Sequence, residues 1–117
     1  MGINLIRPAA VADAQRRGHM AALSAAEHIV SICPQAPDTV TVTCSPWAPE
    51  KPTVRLYFHR SEDGVKALAR ELTTETTTRP HSDDDPAPYT FVDTIVNGVP
   101  VHAWTLGDGP ADAEGAA

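Results

Sequence analysis

Two runs around one dipeptide decide how this chain folds: Tyr89-Thr-Phe-Val-Asp-Thr-Ile-Val96, then Asn97-Gly98, then Val99-Pro-Val-His-Ala-Trp-Thr-Leu106. Asn-Gly between alternating runs suits a two-residue type I′ turn, because both central residues need positive φ. Such a turn pairs Val96 with Val99 and thereby sets every later pair: Ile95 with Pro100, Asp93 with His102, Phe91 with Trp104, Tyr89 with Leu106. Strand side chains alternate between faces. One face of the ribbon therefore carries Thr90, Val92, Thr94, Val96, Val99, Val101, Ala103 and Thr105. The other carries Tyr89, Phe91, Asp93, Ile95, Pro100, His102, Trp104 and Leu106. Both are apolar enough to need cover.

Upstream, Thr39-Val-Thr-Val-Thr-Cys44 alternates without a break, which predicts a strand. Thr53-Val-Arg-Leu-Tyr-Phe-His59 turns Val54, Leu56 and Phe58 inward and Arg55, Tyr57 and His59 outward. The stiff, proline-rich loop between these two runs makes them a hairpin. Residues 20–32 form a helix with Leu23, Ala26, Val30 and Cys33 along one stripe. Residues 8–17 are helix-compatible, with Pro8 at the first position, and Gly18 interrupts the two stretches. Ser61 caps a second helix whose first turn carries Glu62 and Asp63, with Val65, Leu68 and Leu72 inward. Residues 73–88 read as loop, although the Thr run also permits a short strand at 74–78.

The order α-β-β-α-β-β implies an α+β two-layer sandwich: a four-stranded, mainly antiparallel sheet with both helices on one face. Pro100 lacks a donor on the side away from its hairpin partner, which favours the last strand as an edge. At 117 residues the chain is one domain's worth. Residues 1–19 read as an N-terminal extension, helical from 8, residues 20–106 as the α+β domain, and the Gly, Ala, Pro and acid-rich 107–117 as a disordered tail.

Apolar residues make up 42 % but aromatics only 5 %, so the core is built from Val, Leu and Ile with few large anchors. No stretch approaches the ~20 apolar residues of a membrane span, and the start has no basic, then apolar, signal segment; the expected location is cytoplasmic. A net charge of −6 repels phosphate backbones and disfavours a basic nucleic-acid module. Cys33 and Cys44, at the ends of a helix and the next strand, stand beyond the ~7 Å Cα limit for a bridge and are expected as free thiols. The histidines and cysteines show no HExxH or CxxC spacing, and no metal or cofactor is expected.

The ribbon poses a conflict, since the helices shelter only one of its faces. The valine face matches Val40, Val42, Val54 and Leu56 in size and shape and is taken as the core side. Tyr57, Tyr89, Phe91, Asp93, Ile95, His102, Trp104 and Leu106 are then left on the open side, a patch of several hundred Å² at ~150–250 Å² per aromatic. Either the chain covers it with Ile3, Leu5, Ile6 and the helix at 8–17, or a partner does. Homodimerisation or a protein partner is the sharper reading. Asp93 and His102 have dyad spacing, with Tyr57, His59 and Arg55 close by if the second strand is adjacent; no nucleophile is evident, and the pair is read as structural. A small nuclease or hydrolase using His59 and His102 is the best catalytic version. His81 with Asp83, Asp84 and Asp85 reads as a solvated loop, and Arg7, Arg16 and Arg17 as the solvated face of the first helix, not a DNA contact.

The Ala-rich helix, Asp63-Gly-Val-Lys-Ala-Leu-Ala-Arg-Glu-Leu72 and the closing Asn97-Gly-Val-Pro-Val-His-Ala-Trp-Thr-Leu106 together resemble small proteins of high-GC actinobacteria, often carried on prophage or plasmid-like elements. The resemblance implies no activity and no site residues. The chain is therefore read as a non-catalytic interaction module, with a nucleic-acid-linked regulator as the alternative class.

Overall fold

The computed structural model describes residues 2–107, with side chains from residue 9. Its elements run α1 (Gly2–Ile32), β1 (Thr39–Thr43), β2 (Thr53–Tyr57), α2 (Glu62–Glu71), β3 (Thr77–Pro80), β4 (Pro88–Val96) and β5 (Val99–Leu106). The class is α+β as expected, but the sheet has five strands in the order β1-β2-β5-β4-β3 and is mixed. The fifth strand is β3, which lies in the segment read mainly as loop. It pairs antiparallel with β4, setting Thr78 opposite Thr90 and Arg79 opposite Tyr89. A bond of 2.9 Å between the Thr78 and Thr90 hydroxyls joins the two strands.

The closing hairpin follows the turn chemistry. Asn97 and Gly98 adopt φ of 51° and 81°, and the register sets Asp93 against His102 and Phe91 against Trp104. The expectation that β5 is an edge strand fails. It lies at the centre of the sheet, parallel to β2, with Val54 opposite Val101 and Tyr57 opposite Trp104. Pro100 tolerates this because the parallel ladder starts one residue later, at Val101, so its missing N–H falls beyond the end of the ladder.

The valine face is the core side. Val92, Val96, Val99, Val101 and Ala103 pack with Val54, Leu56 and Phe58 of the β2 segment and with residues of both helices. From α2 come Val65, Leu68 and Ala69; the Ser61 hydroxyl caps this helix by accepting from the Gly64 N–H at 3.1 Å. Two expectations for α1 are corrected. Its buried stripe is Ala22, Ala25, Ala26 and Ile29, while Leu23 is 56 % exposed. Small residues let the helix axis approach the sheet closely, and the stripe that achieves this is one position away from the one with the bulkier side chains. Nor does Gly18 interrupt the helix, which starts at Gly2 rather than Pro8 and runs on unbroken to Ile32. Gly18 is buried where a Cβ would stand 2.5 Å from the Pro49 carbonyl oxygen and closer still to Cys44 Sγ. The glycine serves packing, not chain reversal.

This placement also locates the N-terminal part of α1. Gln15 Nε2 donates to the Cys44 carbonyl at 2.9 Å, so residues 15–18 lie over the end of β1 and the loop after it. They do not fold back over the aromatic face. The side chains of Ile3, Leu5, Ile6 and Arg7 lie outside the described residues, as does the tail at 108–117. Gly107 itself donates to the Pro88 carbonyl at 2.8 Å and prolongs the β4–β5 ladder. Both cysteines are free thiols, Cys44 buried and Cys33 partly so; burial pushes the Cys33 thiol above the usual range.

Candidate functional site

With the valines turned inward, the outer face of the sheet carries the residues singled out from the sequence. Tyr57 on β2, Trp104 and His102 on β5, and Tyr89 and Phe91 on β4 come together as one layer of rings. Tyr57 tilts against Trp104 at 4.5 Å between centroids, Tyr89 stacks on Phe91 at 5.1 Å, and Phe91 lies 5.3 Å from His102. Each ring is half-buried by its neighbours, so the open aromatic surface is smaller than the sum of separate side chains. Leu106 is half-buried opposite Tyr89 at one end of the ribbon. Ile95 stands apart at the hairpin-tip end and is 70 % exposed.

Asp93 and His102 form the pair that their register requires, with His102 Nδ1 and Asp93 Oδ1 2.6 Å apart. The imidazole continues to a third group. His102 Nε2 lies 2.5 Å from the Tyr89 hydroxyl, giving a chain Asp93–His102–Tyr89 across two strands. An ionised Asp93 only accepts, so Nδ1 donates to it, and in the neutral ring Nε2 accepts from the Tyr89 O–H. Both ring nitrogens are thus engaged within the protein, and a ligand would reach the basic Nε2 of the imidazole only through the tyrosine hydroxyl. Burial pushes the Tyr89 hydroxyl above its ordinary range; nearby Asp93 adds to this, while Arg55 and Arg79 oppose it. A second tyrosine–histidine contact lies at the end of β2, the Tyr57 hydroxyl standing 2.8 Å from Nδ1 of His59, two residues past the strand.

Two residues of this face were not found from the sequence, Arg79 and His81, because both depend on β3. Arg79 stands opposite Tyr89 in the β3–β4 ladder and lays its guanidinium over two rings, 5.2 Å from the Phe91 centroid and 5.9 Å from that of Tyr89. His81, one residue past the strand, packs against Tyr89 at 5.8 Å and meets Asp85 through Nδ1 at 3.0 Å. The Asp85 carboxyl is held below its ordinary range by the Ala87 N–H and by His81. The only visible signal for β3 was the β-branched Thr run.

The face has two unlike ends. Toward the hairpin tip, β2 stops short of the ribbon and leaves a groove of about 530 Å³ with Thr53, Arg55, Asp93, Ile95, Pro100 and His102 around it. At the other end a smaller cavity of about 270 Å³ lies among Arg55, Arg79, His81, Tyr89 and Trp104. Among the described residues, no three His, Cys, Asp or Glu side chains gather as a metal site, and no helix is long and apolar enough to cross a membrane. The chain matches no protein-family model, no curated protein and no solved structure.

Proposed function

We propose that this chain is a non-catalytic, cytoplasmic protein-interaction module that pairs with a second copy of itself through the hairpin-tip end of its outer sheet face. The observation that carries this reading is the self-matching content of that end. Ile95, 70 % exposed, stands beside a groove it helps to line, so a two-fold axis there lets each copy seat its isoleucine in the other's groove. Arg55 and the exposed carboxylate of Asp93 line the same groove, and the same axis sets each guanidinium against the partner's carboxylate. A stable pair of this kind buries roughly 1,000 Å² or more in total, and the flanking rings supply the rest of the contact. An accessory role on a mobile element rests on the sequence resemblance alone. Nucleic acid stays outside this reading because the net charge of −6 opposes it.

Light scattering at two concentrations tests it. The expected result is twice the chain mass at the higher concentration, and the chain mass at both concentrations for Ile95→Asp with an unchanged circular dichroism spectrum. A wild-type chain that stays monomeric at both would overturn the proposal. The Asp93–His102–Tyr89 chain supports a second reading, a His-dependent hydrolase. His102→Ala that leaves intact a hydrolytic rate measured on the wild type would remove it.

A further inference from the structure

We propose that the smaller cavity, at the β3 end of the outer face, is a binding site for a small ligand that joins a phosphate group to a flat ring, a nucleoside monophosphate being the class. It lies away from Ile95 but shares Arg55 with the dimer groove, where that guanidinium faces the partner's Asp93, so the monomeric Ile95→Asp chain is the form in which the site is read apart from the pairing.

The first argument is charge. Acids outnumber Lys and Arg by 15 to 9 in this chain, so an arginine has carboxylates to choose from. Yet Arg55 and Arg79, brought from different strands to one cavity, are in no ion pair among the described residues. Both guanidiniums are exposed and water screens their repulsion, but an anion entering this space meets two positive charges at once, and the planar fork of arginine fits the oxygens of a phosphate bidentately. Asp85 stands behind His81, which spends Nδ1 on that carboxylate and keeps Nε2 for another partner. The second argument is shape. Trp104 and Tyr89 complete the lining, and the stack of Arg79 over Tyr89 and Phe91 holds the guanidinium against the rings. An aromatic floor beside a cationic clamp suits a ligand with one flat and one anionic part. At about 270 Å³ the cavity lies just under the usual ~300–1,000 Å³ of ligand pockets, enough for a phosphate and one ring system and too little for a large ligand.

Trp104 reports on occupancy. The chain has two tryptophans, and Trp47, 84 % exposed in the loop after β1, lies outside the cavity, so Trp47→Phe leaves a single reporter in it. In that background, adenosine monophosphate and phenyl phosphate are expected to quench Trp104 saturably, inorganic phosphate to compete with both, and adenosine to bind at least tenfold more weakly. Arg79→Gln and Arg55→Gln are each expected to weaken the monophosphate by about tenfold or more, with the circular dichroism spectrum unchanged. Ile95→Asp, which frees Arg55 from the partner's carboxylate, is expected to keep the binding or tighten it, and loss of binding in that variant would tie the site to the pairing. Quenching that both arginine substitutions leave intact, or no saturation at millimolar monophosphate, overturns the site. Binding of inorganic phosphate with no gain from the ring overturns the ligand class.

Discussion

Tyr89 shows what cross-strand pairing conceals. The register places it opposite Leu106, and from the alternation alone it is one aromatic among several. Its hydroxyl reaches His102, four residues before Leu106 on β5, with its ring stacked on Phe91. The Asp93–His102 pair was legible because it is directly opposed; the Tyr89 link was not, because it depends on which way a ring leans along the strand. Its ionisation gives a direct check. Burial raises the folded-state value above the ordinary ~10, so the native fold favours the neutral phenol. That contribution to stability is fully present below about pH 10 and is lost as the pH rises through the folded value. The chain has two tyrosines, so Tyr57→Phe leaves Tyr89 as the sole source of phenolate absorbance. The expected midpoint lies above that of free tyrosine; one at or below it would mean that the hydroxyl is not buried as the sheet places it.

Among the elements, the strands and α2 were written plainly in period, cap and turn residues, and α1 was not. Its stripe of Ala22, Ala25, Ala26 and Ile29 competes in the sequence with Leu23 and Val30, and periodicity weighed by side-chain size favours the wrong stripe. Gly18 misled for a related reason. A glycine within a helical pattern reads as a breaker at ~1 kcal/mol, whereas here it is the gap into which Cys44 and Pro49 fit. In Gly18→Ala the helix gains propensity but must move off a backbone carbonyl that cannot turn away, and overpacking of this kind costs about 1–3 kcal/mol. Net destabilisation in urea unfolding is therefore expected. Stabilisation would show that the loop after β1 yields instead. β3 escaped detection because Thr77–Pro80 has no buried residue to impose a pattern: every one of its side chains is exposed, and its place comes from the ladder to β4.

For the molecule as a whole, the central position of β5 decides how its parts depend on one another. The expected order α-β-β-α-β-β contains the same α-β-β unit twice, and two such units meeting only at a seam would fold as nearly independent halves. The parallel ladder between β2 and β5 removes that possibility, since β5 from the second half lies between β2 and β4 and carries core residues beneath both helices. Phe58 N–H extends the same seam by donating to the Trp104 carbonyl at 3.0 Å. Neither half can then retain its core after the other has come apart, and unfolding should be all-or-none. The prediction is that the fluorescence of Trp104 on the outer face, read in the Trp47→Phe background, and far-ultraviolet circular dichroism dominated by α1 and α2 trace one urea transition with the same midpoint and slope. A helical signal that outlasts the Trp104 transition would mean that α1 keeps its own structure without the sheet and that the helices do not depend on β5.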